Sequence, residues 1–111
     1  MDVNTLKAVY FIGAGGIGMS ALVRYFLSIG KKVGGYDRTP SELTEKLIAE
    51  GASIHYEESV EDIPADFLDV ATTLIVYTPA IPATHAELTY FQNNGFIIQK
   101  RSQVLGMLTQ S

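Results

Sequence analysis

Gly13, Gly15 and Gly18 stand at G-x-G-x-x-G spacing, directly behind the apolar run Val9-Tyr10-Phe11-Ile12 and ahead of an amphipathic stretch. Glycines placed between a strand and a helix shape a backbone that can hold a phosphate, because open N–H groups and the positive end of the helix dipole then converge on one point. In this reading Gly13 makes the tight turn, Gly15 keeps side-chain atoms away from an approaching anion, and Gly18 lets helix and strand pack closely. The intervening Ala14, Gly16, Ile17 and Met19 belong to the same loop, and Ser20 offers a hydroxyl in the first helical turn. About 20 residues beyond the last glycine stands Asp37, the place and residue type expected of a carboxylate that accepts a ribose hydroxyl. Arg38 and Thr39 follow it, and an arginine there would neutralise a diphosphate through charge-assisted hydrogen bonds. Lys100 and Arg101 precede a last amphipathic segment, where cations are disfavoured by the dipole unless an anion compensates them.

These residues need a scaffold, and the hydrophobic pattern supplies one. Strand-like runs at residues 7–12, 33–36, 52–56, 73–77 and 96–99 alternate with helical stretches at about 16–29, from 39–42 to 51, from 84 to 94 and 102–109. The first helix would turn Gly18, Leu22, Phe26 and Ile29 inward and end at Gly30. Thr39-Pro40-Ser41-Glu42 reads as a capping box with proline at the first helical position, and Leu43 and Leu47 face inward behind it. Thr84 with Glu87 reads as a second box, placing His85 on the surface and Leu88 and Phe91 inside. The expected fold is α/β: a Rossmann-like three-layer domain around a mostly parallel sheet of about five strands, spanning residues 1–111 as one unit. Ligands in such sheets bind beyond the carboxyl ends of the strands where strand order reverses. The glycine loop and the turn Thr78, Pro79, Ala80, Ile81 and Pro82 satisfy that condition.

Composition narrows the function further. A net charge of -4 and a pI near 5.0 argue against nucleic acid as a partner, which needs a broad basic face. The absence of cysteine, of a leader and of a long apolar span points to a cytoplasmic protein with no membrane association. His55 and His85 follow no metal-ligand spacing, so no metal site is expected. The acidic stretch Glu57, Glu58, Glu61 and Asp62 reads as solvated surface. No nucleophile, base and orienting group come together, and no G-x-x-x-x-G-K-[ST] loop is present, so no catalytic residue is assigned. Two binding classes remain open at this level: a nucleoside diphosphate derivative, or NAD(P) in a dehydrogenase or nucleotide-sensing regulator.

The segment from Phe11 to Ser20 resembles F-I-G-I-G-G-x-G-M-S at the start of the Mur ligase family of peptidoglycan synthesis, in particular its L-alanine-adding branch. Gly35-Tyr36-Asp37 resembles the family's G-S-D, Thr78-Pro79-Ala80-Ile81 its S-S-A-I, and the segment from Lys100 to Leu105 its basic R-A-x-x-L. The resemblance implies a UDP-N-acetylmuramate-binding N-terminal domain, cut from a longer ligase and inactive alone. Missing central and C-terminal domains would use ATP and magnesium and receive the amino acid, whose amine attacks an acyl phosphate. By motif position, the residues from Gly15 to Ser20 would face the diphosphate, Asp37, Arg38 and Thr39 the uridine, and the turn from Thr78 to Pro82 the sugar. A peptide-recycling ligase shares this architecture, and the Gly16-to-Ser20 match favours the L-alanine-adding branch. Where many relatives carry Gly-His, this chain carries Glu57-Glu58, so no histidine contact is expected there.

Overall fold

The computed structural model describes residues 2–16 and 18–109. Five strands, β1 (Ala8–Ile12), β2 (Lys32–Tyr36), β3 (Ser53–His55), β4 (Thr73–Tyr77) and β5 (Ile97–Lys100), form one sheet in the order β3-β2-β1-β4-β5. Every pairing is parallel. Four α-helices connect or flank them: α1 (Met19–Ser28), α2 (Glu42–Ala49), α3 (Ala86–Asn93) and α4 (Arg101–Thr109). Between β3 and β4 the chain makes only two short 3-10 turns, Val60–Asp62 and Ala65–Phe67.

The central strands are apolar throughout because both faces are covered, as parallel sheets require. Along β1, Val9 and Phe11 point into a core filled by Leu22, Val23 and Phe26 of α1, Leu47 of α2 and Val104 of α4. Ala8, Tyr10 and Ile12 point the other way, onto Leu88 and Phe91 of α3 and onto Ile63 and Phe67 of the 3-10 region. This is the expected doubly covered α/β sheet.

Register decides where loops meet. Ile12 is level with Tyr36 on one side and Tyr77 on the other; Tyr36 is level with His55, and Tyr77 with Lys100. The residues that follow, Gly13, Asp37, Thr78 and Arg101, therefore emerge along one carboxyl edge. Strand order reverses between β1 and β4, directly under Gly13 and Thr78.

The expected helix starts require correction. α1 begins at Met19, because Gly18 adopts φ +81 and stands as its N-cap outside the helix; its buried face is Met19, Leu22, Val23 and Phe26, while Ile29 is the exposed C-cap. α2 is capped by Ser41, whose Oγ accepts from the Thr44 N–H at 3.1 Å while Thr44 Oγ1 accepts from the Ser41 N–H at 2.9 Å. The capping box is thus Ser41 with Thr44, shifted from Thr39 with Glu42, because the Thr39 N–H is already given to Asp37 Oδ2 at 3.2 Å. α3 is capped by His85, whose Nδ1 accepts from the Glu87 N–H at 3.2 Å, and neither Thr84 nor the Glu87 side chain caps it.

Candidate functional site

A cavity of about 450 Å³ opens at the carboxyl edge over the reversal of strand order. Gly13 and Gly16 line it from the glycine loop; Asp37 and Arg38 from the end of β2; Thr78, Ala80, Ile81 and Pro82 from the turn after β4. These eight were expected from the sequence. Tyr36, Glu58 and His85 complete the wall; Tyr36 stood within the Gly35-Tyr36-Asp37 motif, while Glu58 and His85 were expected at the surface.

The glycine loop is held by its own main chain to a degree its spacing did not reveal. Gly13, at φ +96, and Ala14 both donate to the Tyr36 carbonyl, at 2.7 and 3.0 Å. Gly16 N–H donates to the Gly13 carbonyl at 3.0 Å, and Met19 N–H to the Gly16 carbonyl at 3.0 Å. Gly15 N–H donates to Asp37 Oδ1 at 3.0 Å. The Asp37 carboxylate therefore accepts one main-chain bond on each oxygen, from Gly15 and Thr39, and clamps the loop to the end of β2. A Cβ on Gly15 would come within 2.8 Å of Thr44 Cγ2 and 3.3 Å of Asp37, so close packing by the protein itself demands glycine there.

Several expected positions thus take different parts. Ala14 and Met19 are core residues, 1% and 0% exposed, and their side chains face away from the cavity. Gly18 does not bring helix and strand together: the Arg101 guanidinium covers it, with Nε 2.3 Å from where a Cβ would stand. Arg101 therefore lies across the N-terminus of α1, where a cation is unfavourable unless an anion joins it. Pro79 and Arg101 line a neighbouring cavity of about 210 Å³ with Thr78, Lys100 and Ser102. Ser20 is half-buried in the first turn of α1, and Thr39 is exposed beside the Asp37 clamp. Ile17 lies outside the described residues.

The opposite wall is built around Glu87, which the capping-box reading placed at a helix start. It is 0% exposed and accepts three bonds: from the Tyr10 hydroxyl, from His55 Nε2 at 3.0 Å, and from the Ser59 N–H at 3.2 Å. Burial, then the Glu87 charge and hydrogen bond, push the Tyr10 hydroxyl far above the usual tyrosine range, so Tyr10 stays a neutral donor. Glu87 precedes Phe91 by one helical turn and so shares the inward stripe of α3; that periodicity was the available signal. His85 is buried too, at 3% exposure, against the expectation of a surface residue. Its ring packs on Tyr36 with centroids 4.7 Å apart. Burial, then Glu58, Glu87 and Asp37, raise the Tyr36 hydroxyl, with Arg38 opposing. Glu58, read as solvated surface, lines the cavity and accepts the Ala86 N–H at 2.9 Å, tying the acidic loop to the start of α3.

Known proteins resemble this chain in sequence and fold. The family described as "Mur ligase family, catalytic domain" matches residues 8–111. The chain is 80% identical to the UDP-N-acetylmuramate–L-alanine ligase of Phocaeicola vulgatus, over 100% of this chain and 24% of that protein. It is 61% identical to the ligase of the same name from Parabacteroides distasonis, with the same coverage. The crystal structure of a UDP-N-acetylmuramate-alanine ligase from Thermotoga maritima superposes with a TM-score of 0.80 at 26% identity, covering 93% of this chain and 23% of that one. The chain spans about a quarter of the length of these relatives. Among the described residues, no helix is long and apolar enough to cross a membrane.

Proposed function

The chain belongs to the Mur ligase family, and we propose that it is the UDP-sugar-binding domain of a ligase that joins L-alanine to UDP-N-acetylmuramate. The observation that carries this reading is the cavity between the glycine loop and the turn after β4, at the reversal of strand order, with a cation poised over the α1 N-terminus beside it. An acidic chain has here a local anion site: Arg38 on one side, Lys100 and Arg101 on the other. Because five loop amides already donate within the protein, we assign the diphosphate to the Arg101 guanidinium and the open first turn of α1 at Gly18 and Ser20. Arg38 and Thr39 flank the nucleoside, and Thr78 to Pro82 the sugar. Asp37 serves the ligand by fixing the loop.

ATP and magnesium belong, in this proposal, to the larger remainder of such a ligase. The residues here do not fit them: the sequence has no lysine-bearing phosphate loop, and no three metal-ligating side chains cluster among the described residues. The role of this chain is to bind and orient, and it is expected to be inactive by itself in a cytoplasmic enzyme.

Calorimetric titration tests the assignment. Heat of binding with UDP-N-acetylmuramate and none with NADH is expected. Heat with NADH alone would overturn it in favour of a dinucleotide module.

A further inference from the structure

On the α3 side of the cavity one buried polar side chain keeps a ring nitrogen without a hydrogen-bond partner. His85 is 3% exposed, and its Nδ1 accepts the Glu87 N–H at 3.2 Å. A ring nitrogen that accepts carries no proton, so in the neutral ring the proton sits on Nε2, which becomes a donor. That Nε2 is buried, has no hydrogen-bond partner, and belongs to a residue lining the cavity. Glu58 Oε1 lies 3.7 Å away, within ion-pair range but too far for a hydrogen bond. A buried donor without a partner is costly, so its retention at a cavity wall points to a partner that arrives from outside.

We propose that His85 Nε2–H and the Glu58 carboxylate together read the base of the nucleotide, binding the edge of a pyrimidine that presents a carbonyl beside a ring N–H. The inference rests on the reading of the cavity as a UDP-sugar site. A donor next to an acceptor is the complement of a cyclic amide, whose C=O and N–H lie on the same side. An open-chain secondary amide holds these groups on opposite sides of its trans bond, so the acetamido group of an amino sugar does not satisfy both. The Tyr36 ring, 4.7 Å from the imidazole, and Ile81 give the base apolar cover. This places the base against α3 and leaves Asp37 to its loop clamp.

His85→Asn separates the two roles of the residue. Asparagine remains a good helix cap and accepts the Glu87 N–H, but it does not reach the Nε2 position. Titration of the protein with uridine 5′-monophosphate should show about tenfold weaker binding for His85→Asn, and ribose 5-phosphate, which lacks the base, should bind both proteins alike. Glu58→Ala should also weaken the uridine nucleotide selectively. Equal uridine affinity in wild type and His85→Asn, or equal weakening of ribose 5-phosphate, overturns base reading while leaving the UDP-sugar site intact. A wild-type protein that binds neither uridine 5′-monophosphate nor UDP-N-acetylmuramate overturns the site itself and this inference with it. Should His85→Asn fail to fold, imidazole nitrogen NMR of the wild type decides: the Nε2–H signal of His85 must move on adding uridine 5′-monophosphate, and an unmoved signal overturns the proposal.

Discussion

The two walls of the cavity solve opposite problems. On the β1 side, the glycine loop satisfies its own polar groups: Tyr36, Gly13, Gly16 and Asp37 take up the amides of residues 13–16 and 19. On the α3 side, Glu87 accepts three bonds in the core while His85 Nε2, beside it, is buried with no hydrogen-bond partner. One wall fills its loop amides from within the protein and packs tightly at Gly15, and the other holds a buried ring nitrogen with no hydrogen-bond partner. A phosphate-loop motif is therefore not sufficient to say which of its amides are open.

The largest test concerns the foundation of the α3 wall. Glu87→Ala removes the common acceptor of the buried Tyr10 hydroxyl and of the half-buried His55 Nε2 and Ser59 N–H, and leaves the Tyr10 hydroxyl only its 3.3 Å contact with His55 Nε2. Breaking one side of a buried charged network costs about 3–5 kcal/mol, so urea unfolding should show a loss of that size. A loss below about 1 kcal/mol, the size of an ordinary single hydrogen bond, would show that the network is not what holds α3 against the sheet.

Much of the frame was legible in the sequence, and the asymmetry between the walls explains what was not. β1, the glycine turn, α1 and β4 follow from local rules: apolar runs, helical spacing and glycine placement act over a few residues. The order of elements and the carboxyl-edge location of the loops follow from those. Glu87 was misread because a local rule competed with a distant one: Thr84-x-x-Glu87 has capping-box form, yet its true partner, Tyr10, is 77 residues away. His85 was misread the same way, since its burial depends on Tyr36 and Glu58 from other connections. Thr44 shows the reverse case: its capping role is local, but its hydroxyl also accepts at 2.9 Å from Tyr56, which lies beyond α2.

The next test, of intermediate size, asks whether Gly15 is glycine for the ligand or for the protein. Gly15→Ala sets a methyl group 2.8 Å from Thr44 Cγ2, inside a capping box that leaves Thr44 little freedom. Overpacking of this kind costs about 1–3 kcal/mol. Thr44→Ser deletes that methyl and keeps the hydroxyl cap, so the double variant should be more stable than the sum of the single losses predicts. Strict additivity, with UDP-N-acetylmuramate affinity collapsing in Gly15→Ala, would restore Gly15 to direct ligand contact and erase the contrast between the walls.

The smallest expected effect is the sharpest discriminator, because Asp37 can be read either way. As a ribose partner it would spend its charge on the ligand; as a clamp it spends it on the Gly15 and Thr39 amides, at 3.0 and 3.2 Å. Asp37→Asn retains the shape but offers only one acceptor oxygen, so one of the two amides loses its partner. A partly exposed main-chain bond to a carboxylate is worth about 1 kcal/mol, and the unfolding midpoint should fall accordingly. Affinity for UDP-N-acetylmuramate should stay within a few-fold of wild type, since the loop loosens without losing a ligand contact. A hundredfold loss of affinity at unchanged stability would put the Asp37 carboxylate on the ligand and make its hold on the Gly15 and Thr39 amides secondary.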